Sequence, residues 1–148
     1  MVTIADDMQK IRTALDKAGA ETGCRALPQL GAMIETPAAA LCADEIAAVS
    51  DFLNVGTNDL TQYTMAAGRE NPFVYQYFKD DHPAIFKLLR HIAKQAKHIP
   101  VGICGELASQ SNMVEPLLRT GMRMLSVPPP LLPSVKEAVR NALEIEQE

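Results

Sequence analysis

Residues 51–69 read DFLNVGTNDLTQYTMAAGR. The stretch opens as a short buried-type strand, Asp51 to Val55, and then becomes abruptly polar at Gly56, Thr57, Asn58 and Asp59. Gly, Asn and Asp are the usual turn residues, so a turn is the plain expectation here. The same cluster at the tip of a core strand also suits a site for a charged ligand. The choice depends on what the chain brings to its other strand tips.

Upstream, Leu30 to Ile34 is a second apolar run, cut off by Glu35-Thr36-Pro37. Thr36 followed by Pro37 reads as a helix start, because proline at the first helical position gives up no needed N–H. Ala38 to Val49 continues it as one helix or two. Further upstream, Thr3 to Asp6 has the spacing of a capping box. Met8, Ile11, Leu15 and Ala18 then recur at helical intervals and predict a helix that stops at Gly19. Residues 20–28 read as a loop.

Downstream, Asp81-His82-Pro83 opens a helix with Ile85, Leu88, Leu89, Ile92 and Ala96 on one face. Pro100 to Cys104 is a third strand, ending in Gly105-Glu106. Ser111 is placed to cap a helix with Val114, Leu117 and Leu118 that stops at Gly121. Met124 to Val127 reads as a fourth strand. After Pro128-Pro129-Pro130 a last helix carries Val135, Ala138, Val139, Ala142 and Leu143.

Short apolar strands alternating with amphipathic helices predict an α/β fold of parallel βα units, with strands covered by helices. Four such units in 148 residues is half of a (β/α)8 barrel, which typically needs about 250. The chain is thus either a small open sheet or the second half of a barrel. No low-complexity linker divides it, so residues 1–148 read as one domain.

The totals narrow the function. The chain is 47% hydrophobic and 22% charged, with a formal net charge of −4. That balance argues against a general nucleic-acid or anionic-membrane binder, which carries a basic surface. No run approaches the roughly 18 apolar residues of a membrane span, and the N-terminus lacks a signal-peptide pattern. Three widely spaced cysteines, Cys24, Cys42 and Cys104, fit a reducing cytoplasm better than a disulfide scaffold. A cytoplasmic protein is expected.

Parallel α/β folds bind ligands at the carboxyl ends of their strands. Three strands end in candidates: Glu35, then Asn58-Asp59, then Cys104-Gly105-Glu106. Two carboxylates from neighbouring strand ends are the usual protein share of a Mg²⁺ site. Arg69 offers a fork of donors to a phosphate or carboxylate. Cys104 is placed to act as a thiol acid or a nucleophile. Each has a plainer reading. Glu35 suits a helix N-terminus, Asn58 and Asp59 suit a turn, Arg69 a surface charge, and Cys104 an inert buried residue. Their shared location on one rim favours the site.

Three long motifs carry a resemblance: GAMIETPAAAL, FLNVGTNDLTQYTMAAGR and VGICGELA, in this order and spacing. With MVTIADDMQKIRTAL, they make the chain similar along nearly its whole length to the phosphoenolpyruvate (PEP)-binding barrel of the PEP-utilising enzymes. The likeness is greatest to enzyme I of the bacterial sugar phosphotransferase system. Pyruvate phosphate dikinase and PEP synthase share the stretch from Thr57 to Gln62 and diverge after it.

The resemblance implies the second half of a (β/α)8 TIM barrel. It implies Mg²⁺ on Glu35 and Asp59, the PEP phosphate on Asn58, Asp59 and Arg69, and Cys104 as acid/base at the methylene carbon. It further implies transfer of the phosphoryl group to a histidine on a separate domain and on to a histidine phosphocarrier protein, in a homodimer. His82, His91 and His98 do not match that acceptor; His91 has polar-side helical spacing, and all three read as structural or solvated. Without the acceptor domain and the upstream arginines, the chain alone is expected to be inactive. Two positions depart from the family: Gly68 stands where it has Asp before the arginine, and the fourth strand leads through Ser126 into three prolines. A non-catalytic half-barrel interaction module, and a piece of a dikinase or PEP synthase, are the alternatives.

Overall fold

The computed structural model describes residues 1–145. Four parallel strands lie in chain order: β1 (Gly31–Ile34), β2 (Phe52–Gly56), β3 (Val101–Cys104) and β4 (Met124–Leu125). Ile34 pairs with Val55, Gly56 with Cys104 and Gly102 with Met124. Between the strands run α2 (Pro37–Leu41), α3 (Ala43–Ala47), α4 (Thr57–Met65), α5 (Pro83–Gln95) and α6 (Val114–Leu118). Helix α1 (Ala5–Thr22) precedes the sheet and α7 (Leu132–Ile145) follows it. Among the described residues no helix is long and apolar enough to cross a membrane.

Parallel neighbours in unbroken chain order, joined by right-handed crossovers, send every intervening helix to the same face. Burial shows that face. Ala32, Ile34, Leu53, Val55 and Ile103 are at most 2% exposed and share one core with Ile46, Leu89 and Ile92. Each full burial of a Leu or Ile contributes about 1.5–3 kcal/mol. The alternate residues point the other way: Met33 and Met124 are exposed, while Phe52, Asn54 and Cys104 are half-buried. A four-stranded parallel sheet with one covered face and one open face fits a half-barrel.

Several local features differ from expectation. Helix α1 runs past Gly19 to Thr22 and closes at Gly23, whose φ of 67° is left-handed. Gly19 is a packing residue instead, since Leu27 occupies the space a β-carbon would need. The capping acid is Asp7, not Asp6: its Oδ2 accepts from the backbone N–H and the hydroxyl of Thr3 and from the Ile4 N–H. At the amino end of the sheet, Asp51 accepts from Leu30 N at 2.6 Å and Arg12 Nη2 at 2.9 Å, tying α1 to the strands.

Thr36 begins α2 as expected, its Oγ1 accepting from Ala39 N at 3.1 Å. The helical stretch after it is two pieces, joined at Cys42. No turn follows β2. The strand passes at Gly56 straight into α4, with Thr57, Asn58 and Asp59 as its first turn. Polar and acidic residues satisfy the free N–H groups and dipole of a helix start as well as they form turns, which is why composition alone misreads them.

Ser111 makes no side-chain cap; a 3₁₀ turn over Ser111–Met113 leads into α6. Strand β4 has only two residues, although Ser126 N still donates to Ile103 O at 2.8 Å. In α7 Val135 and Ala142 are buried, but Leu143 is 47% exposed.

His82 caps α5, its Nδ1 accepting from Ala84 N. Of the two readings of His91, structural or solvated, burial favours the first: its Nε2 is buried, without a hydrogen-bond partner among the described residues.

Candidate active site at the carboxyl ends of the strands

Glu35, Gly56 and Cys104 stand abreast at the carboxyl edge of the sheet, because Ile34 pairs with Val55 and Gly56 with Cys104. All three belong to the open face by the two-residue alternation of strands. Glu35 leans toward Gly56, close above the space that a side chain there would take. A β-carbon there would lie 3.1 Å from Glu35 Cγ and 3.2 Å from its Oε1. Asp59 follows three residues on, half-buried in the first turn of α4.

Cys104 is half-buried. Its Sγ accepts from Asn54 Nδ2 at 3.3 Å and lies 3.6 Å from the Val55 carbonyl, to which the S–H can donate. Burial pushes the thiol above its usual pKa, the Asn54 N–H pulls it down, and the Glu35 carboxylate raises it further. The thiol is therefore protonated at neutral pH. A protonated thiol at a strand tip is a proton donor, not a ready nucleophile.

Two residues lock the rim. The Thr57 hydroxyl donates to the Cys104 carbonyl at 2.8 Å. Asn58 Oδ1 accepts from Glu106 N at 3.0 Å, leaving its NH₂ end as a donor for a ligand. Gly105 permits both contacts: its φ is 106°, and a β-carbon would collide with Thr57 Oγ1 and lie 2.9 Å from Asn58 Oδ1. Arg69 is exposed and its Nη1 lies 3.4 Å from Glu106 Oε1. Next to these residues opens a cleft of about 660 Å³, lined by Asn58, Glu106, Ser126, Pro128 and Leu131. That volume is in the range of small-molecule sites. Of the proline run, Pro128 thus contributes to a wall of the cleft.

The sequence-derived residues fall into two groups. Glu35 and Cys104 share one layer of the open face, and Asn58 and Arg69 both meet Glu106. Asp59 stands beside them on α4 without an ion pair among the described residues. No group of three or more His, Cys, Asp or Glu gathers among those residues. The chemistry of the donors, the hard carboxylates of Glu35 and Asp59, suits Mg²⁺, which takes one or two protein carboxylates and completes its octahedron with substrate and water.

Sequence reasoning missed Asn54 and Thr57. Strand alternation carries the signal for Asn54: counting in twos from Gly56 places it on the open face. Thr57 had no such signal, because its partner is a backbone carbonyl 47 residues away.

The model of the PEP-utilising enzyme, PEP-binding domain matches residues 1–144. The chain is 40% identical over 129 residues to a probable phosphoenolpyruvate synthase of Methanocaldococcus jannaschii, covering 85% of this chain and 11% of that protein. It is 38% identical over 115 residues to the phosphoenolpyruvate-protein phosphotransferase of Haemophilus influenzae, covering 76% of this chain and 20% of that protein. A multiphosphoryl transfer protein of Xanthomonas campestris is 38% identical over 142 residues, 95% of this chain and 17% of that protein. The chain thus spans a fifth or less of these relatives. A family match over residues 1–144, with relatives 38–40% identical over most of the chain, makes this chain a member of the PEP-binding domain family of PEP-utilising enzymes.

Proposed function

We propose that this chain is the PEP- and Mg²⁺-binding part of a PEP-protein phosphotransferase of the enzyme I type, with its sheet as the second half of a (β/α)8 barrel. The observation that carries the reading is Cys104: a thiol kept protonated at the strand rim, in one layer with Glu35. When PEP gives up its phosphoryl group the remaining fragment is the enolate of pyruvate. A proton must then reach C3. Cys104 delivers it, which asks for a neutral thiol held near the substrate and not for a thiolate.

Glu35 and Asp59 would hold Mg²⁺, which when bound neutralises charge on the phosphate and enolate oxygens. The Asn58 NH₂ end and the Arg69 guanidinium orient the phosphate, Arg69 by exchanging Glu106 for a stronger anion. Phosphoryl transfer demands mainly such positioning and charge stabilisation. In this reading the acceptor is a histidine outside these 148 residues, which passes the group to a histidine phosphocarrier protein for sugar uptake. The working protein is a cytoplasmic homodimer, and the chain alone has little or no phosphotransferase activity.

A second reading has support in the names of the relatives, which include phosphoenolpyruvate synthases. In that case the same rim serves a nucleotide-dependent enzyme. Transfer from PEP to a carrier protein without nucleotide separates the two.

Calorimetry of PEP binding tests the site itself. Weak binding that needs Mg²⁺ and is lost in Asp59→Ala is the expected result. Equal affinity in wild type and Asp59→Ala overturns the metal assignment.

A further inference from the structure

Asn54 lies on the open face of β2, two register pairs below the rim pair Gly56–Cys104. Its Nδ2 donates to Cys104 Sγ at 3.3 Å, the one side-chain hydrogen bond that the sulfur receives among the described residues. The carboxamide sits over its register partner on β3, Gly102. A β-carbon on Gly102 would lie 2.8 Å from Asn54 Oδ1, closer than real β-carbons come to any atom. A side chain at 102 would therefore push the Asn54 carboxamide from its present place beside the thiol. The bond and the clearance describe one placement of the Asn54 carboxamide, between Gly102 and the thiol.

We infer that Asn54 is a positioning residue for the Cys104 thiol, with Gly102 as the opening through which it acts. Its relevance to chemistry rests on the proton-donor reading of Cys104 above. In that step the S–H bond breaks, its electron pair stays on sulfur, and the proton forms the new C–H bond at C3 as the enolate becomes a ketone. A thiolate is left behind. The Asn54 N–H already points at the sulfur, so its bond becomes charge-assisted at that moment, and such bonds are about twice as strong as neutral ones. The same N–H restrains the side-chain torsion of Cys104 before the step. Without it, the sulfur keeps only the long 3.6 Å contact to the Val55 carbonyl.

The S–H stretching band of Cys104 reads this contact directly, isolated by subtracting the infrared spectrum of Cys104→Ala. Asn54→Asp keeps the shape of the side chain and removes the N–H donor, and Asn54→Ala removes both. Gly102→Ala leaves both partners in place and closes the space between them. The expected result is a shifted band in all three variants, with Gly102→Ala shifting it in the same direction as Asn54→Ala. A band unmoved in Asn54→Ala and Asn54→Asp overturns the inference, and so does a Gly102→Ala band identical to wild type. Should Gly102→Ala not fold, the two Asn54 variants still decide. The proton-donor reading fails separately: full-rate pyruvate formation by a whole-barrel enzyme carrying Cys104→Ala would remove it and leave the band shifts as they are.

Discussion

The hydroxyl of Thr57 donates a 2.8 Å hydrogen bond to the carbonyl of Cys104, so the first residue of α4 is pinned to the last residue of β3. Thr57 is fully buried, and the bond sits under the loop that carries Gly105 and Glu106. Thr57→Val keeps the shape and strands the carbonyl, a loss of about 1–3 kcal/mol. Thr57→Ser should recover most of it in urea unfolding. Gly105→Ala should cost at least as much as Thr57→Val. Its φ of 106° is strained for any side chain, and its β-carbon would collide with that same hydroxyl.

Gly56→Ala separates stability from ligand binding. The atoms nearest a new β-carbon belong to the flexible side chain of Glu35, which can swing aside. Stability should stay within about 1 kcal/mol of wild type, as for substitutions that meet no rigid neighbour. Mg²⁺-dependent PEP binding should fall, because Glu35 loses its seat. Calorimetry and thermal unfolding on the same sample check both halves.

The two faces of β2 and its neighbour should answer mutation differently. Leu53 is fully buried on the helix side, and Leu53→Ala should cost about 2–5 kcal/mol. Met33 is 38% exposed on the open side, and Met33→Ser should be nearly neutral in this chain. Equal losses in denaturant would contradict an open face.

Acid should loosen the attachment of α1. The Leu30 N–H, and then Arg12, hold Asp51 below the usual carboxylate pKa. A depressed folded-state pKa gives stability that is complete above the unfolded value, about 3.9. That stability is lost as pH falls through the folded value. Wild type should therefore lose stability on acidification below about pH 4 more steeply than Asp51→Asn. Asp7, lowered by the Thr3 N–H and hydroxyl, adds a loss of the same sign at the amino end of the helix.

In an enzyme carrying the whole barrel, Cys104→Ser should slow pyruvate formation more than phosphoryl exchange with the carrier, since a hydroxyl is a far weaker acid than a thiol. Isotope exchange set beside product formation measures the split. Equal loss of both steps removes the proton-donor role.

Most of the architecture was legible because strand and helix periods differ plainly. Leu53 and Val55, or Ile85, Leu89 and Ile92, admit one reading each. What escaped was where local chemistry is degenerate. Thr57-Asn58-Asp59 serves a turn and a helix start equally well, and only the register of β2 against β3 decides for the helix. Gly19 and Gly23 are both credible helix ends, and only the contact with Leu27 tells that Gly19 is there for space. Asp6 and Asp7 differ by one residue, below the resolution of any capping pattern. In the candidate site, Glu35, Asn58, Asp59, Arg69 and Cys104 were all nameable in advance. That Arg69 and Asn58 meet at Glu106 was not, since those contacts join residues 37 and 48 positions apart.

Three glycines on the open face, Gly31, Gly56 and Gly102, each lie beneath a larger side chain from the adjoining strand: Phe52, Glu35 and Asn54. At Gly31 and Gly102, the two closest approaches, size is a shared quantity, so substitutions there should travel in pairs. Enlarging one member becomes tolerable when the other shrinks, and Gly102→Ala with Asn54→Ala should unfold later than Gly102→Ala alone. The sheet's surface thus reads in two-letter words at Gly31–Phe52 and Gly102–Asn54, where the glycine's spelling is tied to the residue above it, while the looser pair at Gly56 yields by a swing of Glu35.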